Sequence, residues 1–210
     1  LEFRRVLFRS ETTGAITTTG LAQGTYTETI TVTDSSSATA TLSFVITVNA
    51  PIVISGGSGI TTTFGRADSS LAFTSTGGTG TKSYTLTPIQ AGISVDSNGV
   101  VTVSATLAAN TYYETVVVTD SLGTQTTASL TILVNPGISF NAYGTLYSTA
   151  GVAYTFGSIS TLAGTGTGAI RYTMTNLNSF FSIDSVTGVI RVTSGVTLGT
   201  KYETITATDS

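Results

Sequence analysis

The chain has 210 residues, of which 8 are Lys or Arg and 11 are Asp or Glu, so its net charge at pH 7 is −3. It contains no Cys, His or Trp. This composition excludes thiol and cysteine–zinc sites and an imidazole base, and the lack of a recurring basic cluster argues against a nucleic-acid partner. No apolar run is long enough to span a membrane, so no membrane insertion is predicted.

The first ten residues, LEFRRVLFRS, differ from the rest of the chain. They include three arginines but no Thr or Gly, which are both abundant afterwards. They also lack the continuous apolar stretch and the small-residue cleavage site of a signal peptide. The decapeptide resembles the translation of a sequencing adapter, so we expect residues 1–10 to be non-native and the remainder to be a gene fragment cut at both ends.

A Thr-rich phrase then recurs three times. It reads GTYTETITVTDS at 24–35, NTYYETVVVTDS at 110–121 and GTKYETITATDS at 199–210. Spacings of 86 and then 89 residues are longer than a solenoid repeat and typical of one small β-domain. We therefore divide the chain into repeat 1 (11–49), repeat 2 (50–135) and repeat 3 (136–210), and we expect the first and the last to be truncated.

Repeat 2 has short alternating segments separated by Gly-rich turns. Its candidate strands are 60–65, 71–76, 82–87, two strands within 93–103, 112–120 and 125–134. Asn98-Gly99 is predicted to supply positive φ in the tight turn within 93–103. About seven strands without a helical period predict an all-β fold of tandem immunoglobulin-like β-sandwiches.

Repeat 3 has no counterpart of residues 122–135, the last strand of repeat 2 and the turn before it. We therefore expect its sheet to have an unpaired edge and to be the least stable ordered region. Pro51 and Pro136 fix φ in the short linkers, where the last strand of each repeat should end. Repeats joined in this way should form a stiff row, with neighbouring repeats as partners.

The strand at 26–34 places a glutamate on its apolar face. One parity contains Tyr26, Glu28, Ile30, Val32 and Asp34, and the other contains Thr27, Thr29, Thr31 and Thr33. Because side chains alternate along a strand, Glu28 and its counterparts Glu114 and Glu203 should point toward the core. We interpret them as acceptors for loop N–H groups or hydroxyls. The alternative, a glutamate promoting a Lys–Asn crosslink, needs a buried Lys in each repeat, and Lys82 and Lys201 do not recur.

Tyr26 and Tyr112 lie at the start of this strand, at the position of a tyrosine corner, in which the hydroxyl bonds back to the chain. A sugar-stacking platform is the alternative. Repeat 3 has Lys201 at this position and Tyr202 one place later.

Asp34, Asp120 and Asp209 open the turn after the strand. An Asx-turn cap is the default interpretation of such a residue. The competing interpretation is a weak calcium site, which would need six to eight oxygen ligands, several of them anionic. Each repeat has few acidic residues, so backbone carbonyls at the next linker would have to complete the site.

The segments FSIDSVTGVIRV (181–192) and YETITATDS (202–210) resemble bacterial cadherin-like and immunoglobulin-like repeats. The matching positions are Phe181, Ile183, Asp184, Thr187, Gly188 and Ile190, with Tyr26, Val32 and Asp34 in the later part of the pattern. The resemblance implies a sandwich fold in a long secreted or bacterial cell-surface protein. Of the cadherin calcium residues, the chain keeps clearly only Asp34, Asp120 and Asp209.

Three functions are compatible with these features, and none is enzymatic because no catalytic constellation recurs. The first is a structural or adhesive extracellular repeat, with a surface protein or glycan as partner. The second is a calcium-dependent cadherin-type adhesion module, and calcium is then the single cofactor. The third is a carbohydrate-binding accessory module of an exported enzyme.

Overall fold

The structure is a computed structural model that describes residues 6–9, 13–175 and 177–209. Within this part of the chain every regular element is a strand, which confirms the predicted all-β class. The same residues include no helix long and apolar enough to cross a membrane. Of the segment predicted to be non-native, residues 1–5 and 10 lie outside the described residues, and so does Ser210 at the end of the third Thr-rich phrase.

The described residues before repeat 2 form two antiparallel strand pairs, and β1 of the first pair lies in the segment 1–10 rather than in repeat 1. The strands in this part of the chain are β1 (Val6–Arg9), β2 (Ile16–Thr19), β3 (Gly24–Thr33) and β4 (Thr39–Val48). β1 pairs with β2, and β3 pairs with β4 in an unbroken register from Gly24 opposite Val48 to Thr33 opposite Thr39.

The predicted alternation along β3 is confirmed for most of its length. Its threonines from Thr27 to Thr33 are exposed, whereas Tyr26, Glu28 and Ile30 are half-buried. The prediction was wrong for Val32, whose side chain is 63% exposed. Among the described residues β3 and β4 pair with no other strand, and the side chains of Val32 and Leu42 are 63% and 67% exposed. The apolar face of this two-stranded ribbon is therefore uncovered at that end.

Repeat 2 has the fullest set of strands. They are β5 (Val53–Gly56), β6 (Ile60–Thr63), β7 (Asp68–Ser69), β8 (Phe73–Thr76), β9 (Ser83–Thr87), β10 (Ile93–Val95), β11 (Val101–Val103), β12 (Asn110–Thr119) and β13 (Gln125–Asn135). The short strands β5 and β7 were not predicted. In the β10–β11 turn Gly99 has φ of +80°, as expected, but Asn98 does not have positive φ.

The strand order of repeat 2 is that of an immunoglobulin-like sandwich. One sheet has the order β6-β13-β12-β9, and the remaining strands form β10-β11-β7 and β5-β8. β6 runs parallel to β13, with Ile60 opposite Ile132, whereas β10 and β11 are antiparallel. Alternate residues are fully buried, among them Val101, Val103, Val116, Val118 and Ile132. The first part of the repeat thus supplies β6 to the four-stranded sheet and β5 to the pair with β8.

Repeat 3 repeats part of this plan. Its strands are β14 (Tyr154–Ser158), β15 (Arg171–Met174), β16 (Phe181–Ile183), β17 (Val189–Val192) and β18 (Ile205–Thr208). They form the sheets β14-β17-β16 and β15-β18, around a core centred on Ile159, Tyr172 and Ile190. β18 corresponds to β12 but pairs only with β15 within the described residues, in agreement with the predicted unpaired edge.

The contacts divide the chain into two compact units. The first contains Leu1–Ile54, Ser75–Ser83 and Val118–Thr126, and the second contains Ser55–Thr74, Tyr84–Val117 and Thr127–Ser210. The division passes through repeat 2, so each unit contains one junction between consecutive repeats. The repeat boundaries at 49/50 and 135/136 stay predictions.

Candidate functional site

The three recurring aspartates are hydrogen-bond acceptors for turn backbone. In Asp34, Oδ1 accepts the N–H groups of Ser36 and Ala38, each at 2.9 Å, and the Ser36 hydroxyl at 2.8 Å. The Ser36 hydroxyl is the first cause of the lowered pKa of Asp34, and the Ala38 N–H adds to it. This geometry confirms the Asx-turn interpretation for repeat 1.

Asp120 makes the same cap and one further bond. Its Oδ1 accepts the N–H groups of Leu122 and Thr124, and its Oδ2 accepts the N–H of Thr79, all at 2.9 Å. The Thr79 N–H is the main cause of the lowered pKa of Asp120, and the positive charge of Lys82 contributes. The side chain is only 7% exposed, so these bonds satisfy a buried carboxylate.

The Thr79 loop is also bound to the linker that precedes repeat 2. The Asn49 side-chain amide donates to the Thr79 hydroxyl at 3.0 Å, and the Gly78 N–H donates to the Ala50 carbonyl at 2.7 Å. Asp120, Thr79 and Asn49 therefore form one hydrogen-bonded chain from a turn of repeat 2 to the linker. We call this set, with Gly78 and Ala50, the first junction.

The second junction reproduces these contacts between repeats 2 and 3. The Asn135 amide donates to the Thr167 hydroxyl at 3.0 Å, and the Gly166 N–H donates to the Pro136 carbonyl at 2.9 Å. The Thr167 N–H donates to Asp209 Oδ2 at 2.8 Å, as Thr79 does to Asp120. Asparagine, glycine, threonine and aspartate thus occupy matching positions in both junctions.

Thr63, at the end of β6, adds a direct contact between repeat 2 and Asp209. Its hydroxyl is buried, donates to Asp209 Oδ2 and lies 2.6 Å from the Thr167 hydroxyl. The Thr63 hydroxyl is the first cause of the lowered pKa of Asp209, and the Thr167 N–H and the charge of Arg66 add to it. Asn135, Thr167 and Thr63 can therefore donate in sequence toward the carboxylate.

Glycine is required at one position in each junction. Gly78 has φ of +62°, and a methyl group on it would lie 2.6 Å from Ile52 Cγ1. Gly166 has φ of +76°, and the corresponding distance to Ile138 Cγ1 is 3.0 Å. The left-handed backbone and the isoleucine after each linker both disfavour a side chain there.

The calcium interpretation of Asp34, Asp120 and Asp209 can be compared with this geometry. No group of three or more His, Cys, Asp or Glu residues suited to a metal occurs in the described part of the chain. Each junction contains one carboxylate, and N–H donors already point at its oxygens. A calcium ion prefers several anionic oxygens, so this donor set does not fit it. A calcium site at these aspartates stays a prediction.

The glutamates of repeats 2 and 3 have different surroundings. Glu203 accepts from the Thr175 hydroxyl, from the backbone N–H groups of Leu177 and Asn178, and from the Asn178 amide, at 2.7 to 3.1 Å. These bonds, the Thr175 hydroxyl first, lower the pKa of Glu203 to about 2. The interpretation as a loop acceptor is confirmed for Glu203.

Glu114 is buried without such partners. Its side chain is 4% exposed, and Oε2 has no hydrogen-bond partner among the described residues. Burial raises the pKa of Glu114. The prediction of a hydrogen-bonded acceptor was therefore wrong for this oxygen. Glu28 in repeat 1 is half-buried opposite Phe44.

The tyrosine corner is confirmed in repeats 1 and 2. The Tyr26 hydroxyl donates to the Ala22 carbonyl at 2.7 Å, and the Tyr112 hydroxyl donates to the Ala108 carbonyl at 2.9 Å. Both bonds reach four residues back along the chain. In repeat 3 the neighbouring Tyr202 is 78% exposed.

An open groove of about 570 Å³ lies beside the second junction. Phe64, Arg66, Ile138 and Asp209 contribute to its walls. It contains one acidic and one basic side chain, and the acidic one is held by the junction.

Comparison with known proteins gives similarity in structure alone. No protein-family model matches the sequence, and no curated protein matches it. One similar structure is Drosophila OTK extracellular domains 3–5, with 13% identity over 89% of this chain and 67% of that one and a TM-score of 0.39. Another is protocadherin gamma B2 extracellular cadherin domains 3–6, with 16% identity, coverage of 92% and 57% and a TM-score of 0.39.

Mouse cadherin-23 EC22-24 is a third similar structure, with 15% identity, coverage of 80% and 63% and a TM-score of 0.36. The chain therefore spans between 57% and 67% of the length of these structures. Because the identities and TM-scores are this low, the similarities carry no argument about function.

Proposed function

We propose that the chain is a non-catalytic structural and adhesive module of an extracellular protein, with the bacterial cell surface as its location. Its repeats would be links of a row that transmits tension while holding another part of the protein away from the surface. The resemblance of the sequence to bacterial surface repeats supports this role, as does the recurrence of one junction.

The observation that carries the proposal is the parallel pairing of β6 with β13. The register places Ile60 opposite Ile132 and Thr63 opposite Asn135. Tension through the two linkers pulls β6 toward its amino end and β13 toward its carboxyl end. Because the strands are parallel, this tension shears all the hydrogen bonds between them together. A repeat built in this way should resist stretching along the row.

Single-molecule stretching of the full chain tests this mechanical role. One preparation is held by its two ends, and a second by cysteines in Ser58→Cys/Thr131→Cys, which loads the β6–β13 pair from one end. The chain has no native Cys, so the introduced pair gives defined attachment points. Both positions are exposed in the folded repeat, and the melting temperature of the double variant serves as the control for intact folding.

We expect repeat 2 to rupture at a higher force when it is held by the chain ends. In the cysteine preparation the force opens the β6–β13 hydrogen bonds one after another instead of shearing them together. Because the rupture force reports the height of the unfolding barrier, this preparation should rupture at the lower force. Equal rupture forces in the two geometries would contradict the load-bearing proposal.

The adhesive part of the proposal has its own test. Beads coated with the full chain are mixed with each other, with bacterial cells and with a glycan array, in calcium and in chelator. Binding that is the same in both solutions supports a calcium-independent adhesive module. Binding that is lost in chelator would favour the calcium-dependent cadherin-type alternative. Binding to defined glycans alone would favour the carbohydrate-binding alternative. Absence of binding in every assay would contradict the adhesive role and leave the mechanical one.

A further inference from the structure

We infer that each junction is a metal-free hydrogen-bond lock that holds a linker against the repeat following it. The lock consists of a linker asparagine, a loop glycine and threonine, and the aspartate after the long strand of the following repeat. This inference concerns the junctions alone and does not depend on whether the chain is adhesive.

The agreement between the two junctions is the first support for the lock. The amide–hydroxyl distance is 3.0 Å in both, from Asn49 to Thr79 and from Asn135 to Thr167. The bond from the threonine N–H to the aspartate is 2.9 Å in one and 2.8 Å in the other. Two independent copies of four residue types in one arrangement are not expected from surface side chains that point into solvent.

The direction of donation is the second support. The asparagine presents its NH₂ group to the threonine, and the threonine presents its N–H to the carboxylate, so donors face the acceptors throughout. In the second junction Thr63 donates to Asp209 as well. A cation in the same place would meet these hydrogens and a single carboxylate, which is a poor ligand set for calcium.

The steric requirement at glycine is the third support. Gly78 and Gly166 give their N–H groups to the linker carbonyls, and their missing side chains leave room for Ile52 and Ile138. Each linker is therefore held by a backbone bond, a side-chain bond and an apolar contact. Contacts of three kinds at one linker restrict bending more than a single surface hydrogen bond does.

The test measures the distance between repeats 2 and 3 in the full chain. Spin labels are placed at Thr102→Cys and Ser182→Cys, which are exposed positions on β11 and β16. The distance distribution is recorded with calcium at about 1 mM, the range in which extracellular modules bind it, and with chelator. We expect one narrow distribution that is the same in both solutions. A distribution that narrows when calcium is added would overturn the lock.

The matched variants are Thr167→Val and Thr206→Val on the labelled chain. Thr167→Val removes the hydroxyl that accepts from Asn135 but keeps the N–H that binds Asp209, whereas Thr206 is an exposed β18 residue of the same repeat. We expect Thr167→Val to broaden the distribution and Thr206→Val to leave it unchanged. Distance distributions of the same width in Thr167→Val and Thr206→Val would refute the lock. The calcium comparison on the chain with native junctions decides the question even if Thr167→Val does not fold.

Discussion

Repeats 2 and 3 place a glutamate at the same point of the same phrase but give it opposite surroundings. Glu203 is bound by the loop after β15, and its pKa is lowered to about 2. Glu114 is 4% exposed, Oε2 has no partner among the described residues, and burial raises its pKa. The shared Thr-rich phrase therefore determines the face of the strand on which the glutamate lies but not its hydrogen-bond partners.

The loops after β9 and β15 differ between the two repeats. In repeat 3 the Thr175 hydroxyl, the Leu177 and Asn178 N–H groups and the Asn178 amide all donate to Glu203. The corresponding loop of repeat 2, at 87–90, has the sequence TPIQ and gives no hydrogen bond to Glu114 Oε2. A buried carboxylate oxygen without a partner costs free energy of folding.

The start of the long strand also differs. β12 begins at Asn110, four residues before Glu114, whereas β18 begins at Ile205, after Glu203. Repeat 2 has the Tyr112 corner and β13 as a neighbour, and repeat 3 has Lys201 and an edge without a described neighbour. The hydrogen bonds of Glu203 thus add to the backbone bond from the Thr175 N–H to the Thr204 carbonyl in holding the segment before β18.

Glu203→Ala is expected to have the largest effect, a loss of hydrogen-exchange protection in the loop after β15. The substitution leaves the Leu177 and Asn178 N–H groups without their acceptor, so the loop should detach from the segment before β18. Amide hydrogen exchange should show loss of protection at these two residues, with Thr206→Ala, at an exposed position of β18, as the control. Unchanged protection would mean that Glu203 does not hold the loop.

Glu114→Met, unlike Glu203→Ala, is expected to stabilise the repeat that carries it. An apolar side chain of similar size removes the unsatisfied carboxylate oxygen, and repeat 2 should gain about 1–3 kcal/mol in free energy of unfolding at neutral pH. Chemical denaturation followed by amide exchange in β12 measures the gain. Glu114→Gln is the control, because it removes the charge but keeps a buried polar group. A loss of stability in Glu114→Met would show that the carboxylate has a partner.

A pH titration should separate the two glutamates next. Because the folded pKa of Glu114 is raised, ionisation penalises folding above that pKa, and the penalty disappears as the pH falls to the ordinary value near 4.5. The contribution of Glu203 is present above about 4.5 and is lost as the pH falls through about 2.

Between neutral pH and about 4.5, protonation of Glu114 should therefore stabilise repeat 2 while the Glu203 contribution stays intact. NMR titration of the two side-chain carboxyl signals, with amide exchange in β12 and β18, measures both effects. If the two carboxyl groups titrated at the same pH, Glu114 and Glu203 would not differ in their surroundings.

Lys201→Tyr is expected to have the smallest effect, a small gain in the stability of repeat 3. This substitution offers repeat 3 the corner that Tyr26 and Tyr112 make, with the Thr197 carbonyl four residues earlier as acceptor. One added hydrogen bond should contribute about 0.5–1.5 kcal/mol. Protection of the β18 amides should rise in Lys201→Tyr but not in Lys201→Phe, which lacks the hydroxyl. Equal protection in both variants would exclude a corner in repeat 3.

Features set by short-range pattern could be predicted from the sequence. The strand alternation in β3, the Asp34 turn and the Tyr112 corner depend on residues within a few positions of one another, and the structure contains all three. Val32 deviated because its burial depends on a covering strand rather than on its own strand.

The junctions were not predicted, although a signal was present. Asn49 and Asn135 are 86 residues apart, as are the first two Thr-rich phrases, and Thr79 and Thr167 recur 88 residues apart in their Gly-rich turns. Sequence alone could not join them, because the linker and the loop are about thirty residues apart and meet only once the sandwich has formed. The isolation of Glu114 Oε2 was equally hidden, since strand alternation predicts the face on which a side chain lies but not its hydrogen-bond partners.

The location of the junction partners has a consequence for how such a chain can lengthen. Asn49, Thr79 and Asp120 all lie between one linker and the next, and so do Asn135, Thr167 and Asp209. A gene duplication whose ends fall just before the linker asparagines copies a complete set together. Each new unit then arrives with its own linker asparagine, loop glycine and threonine, and aspartate.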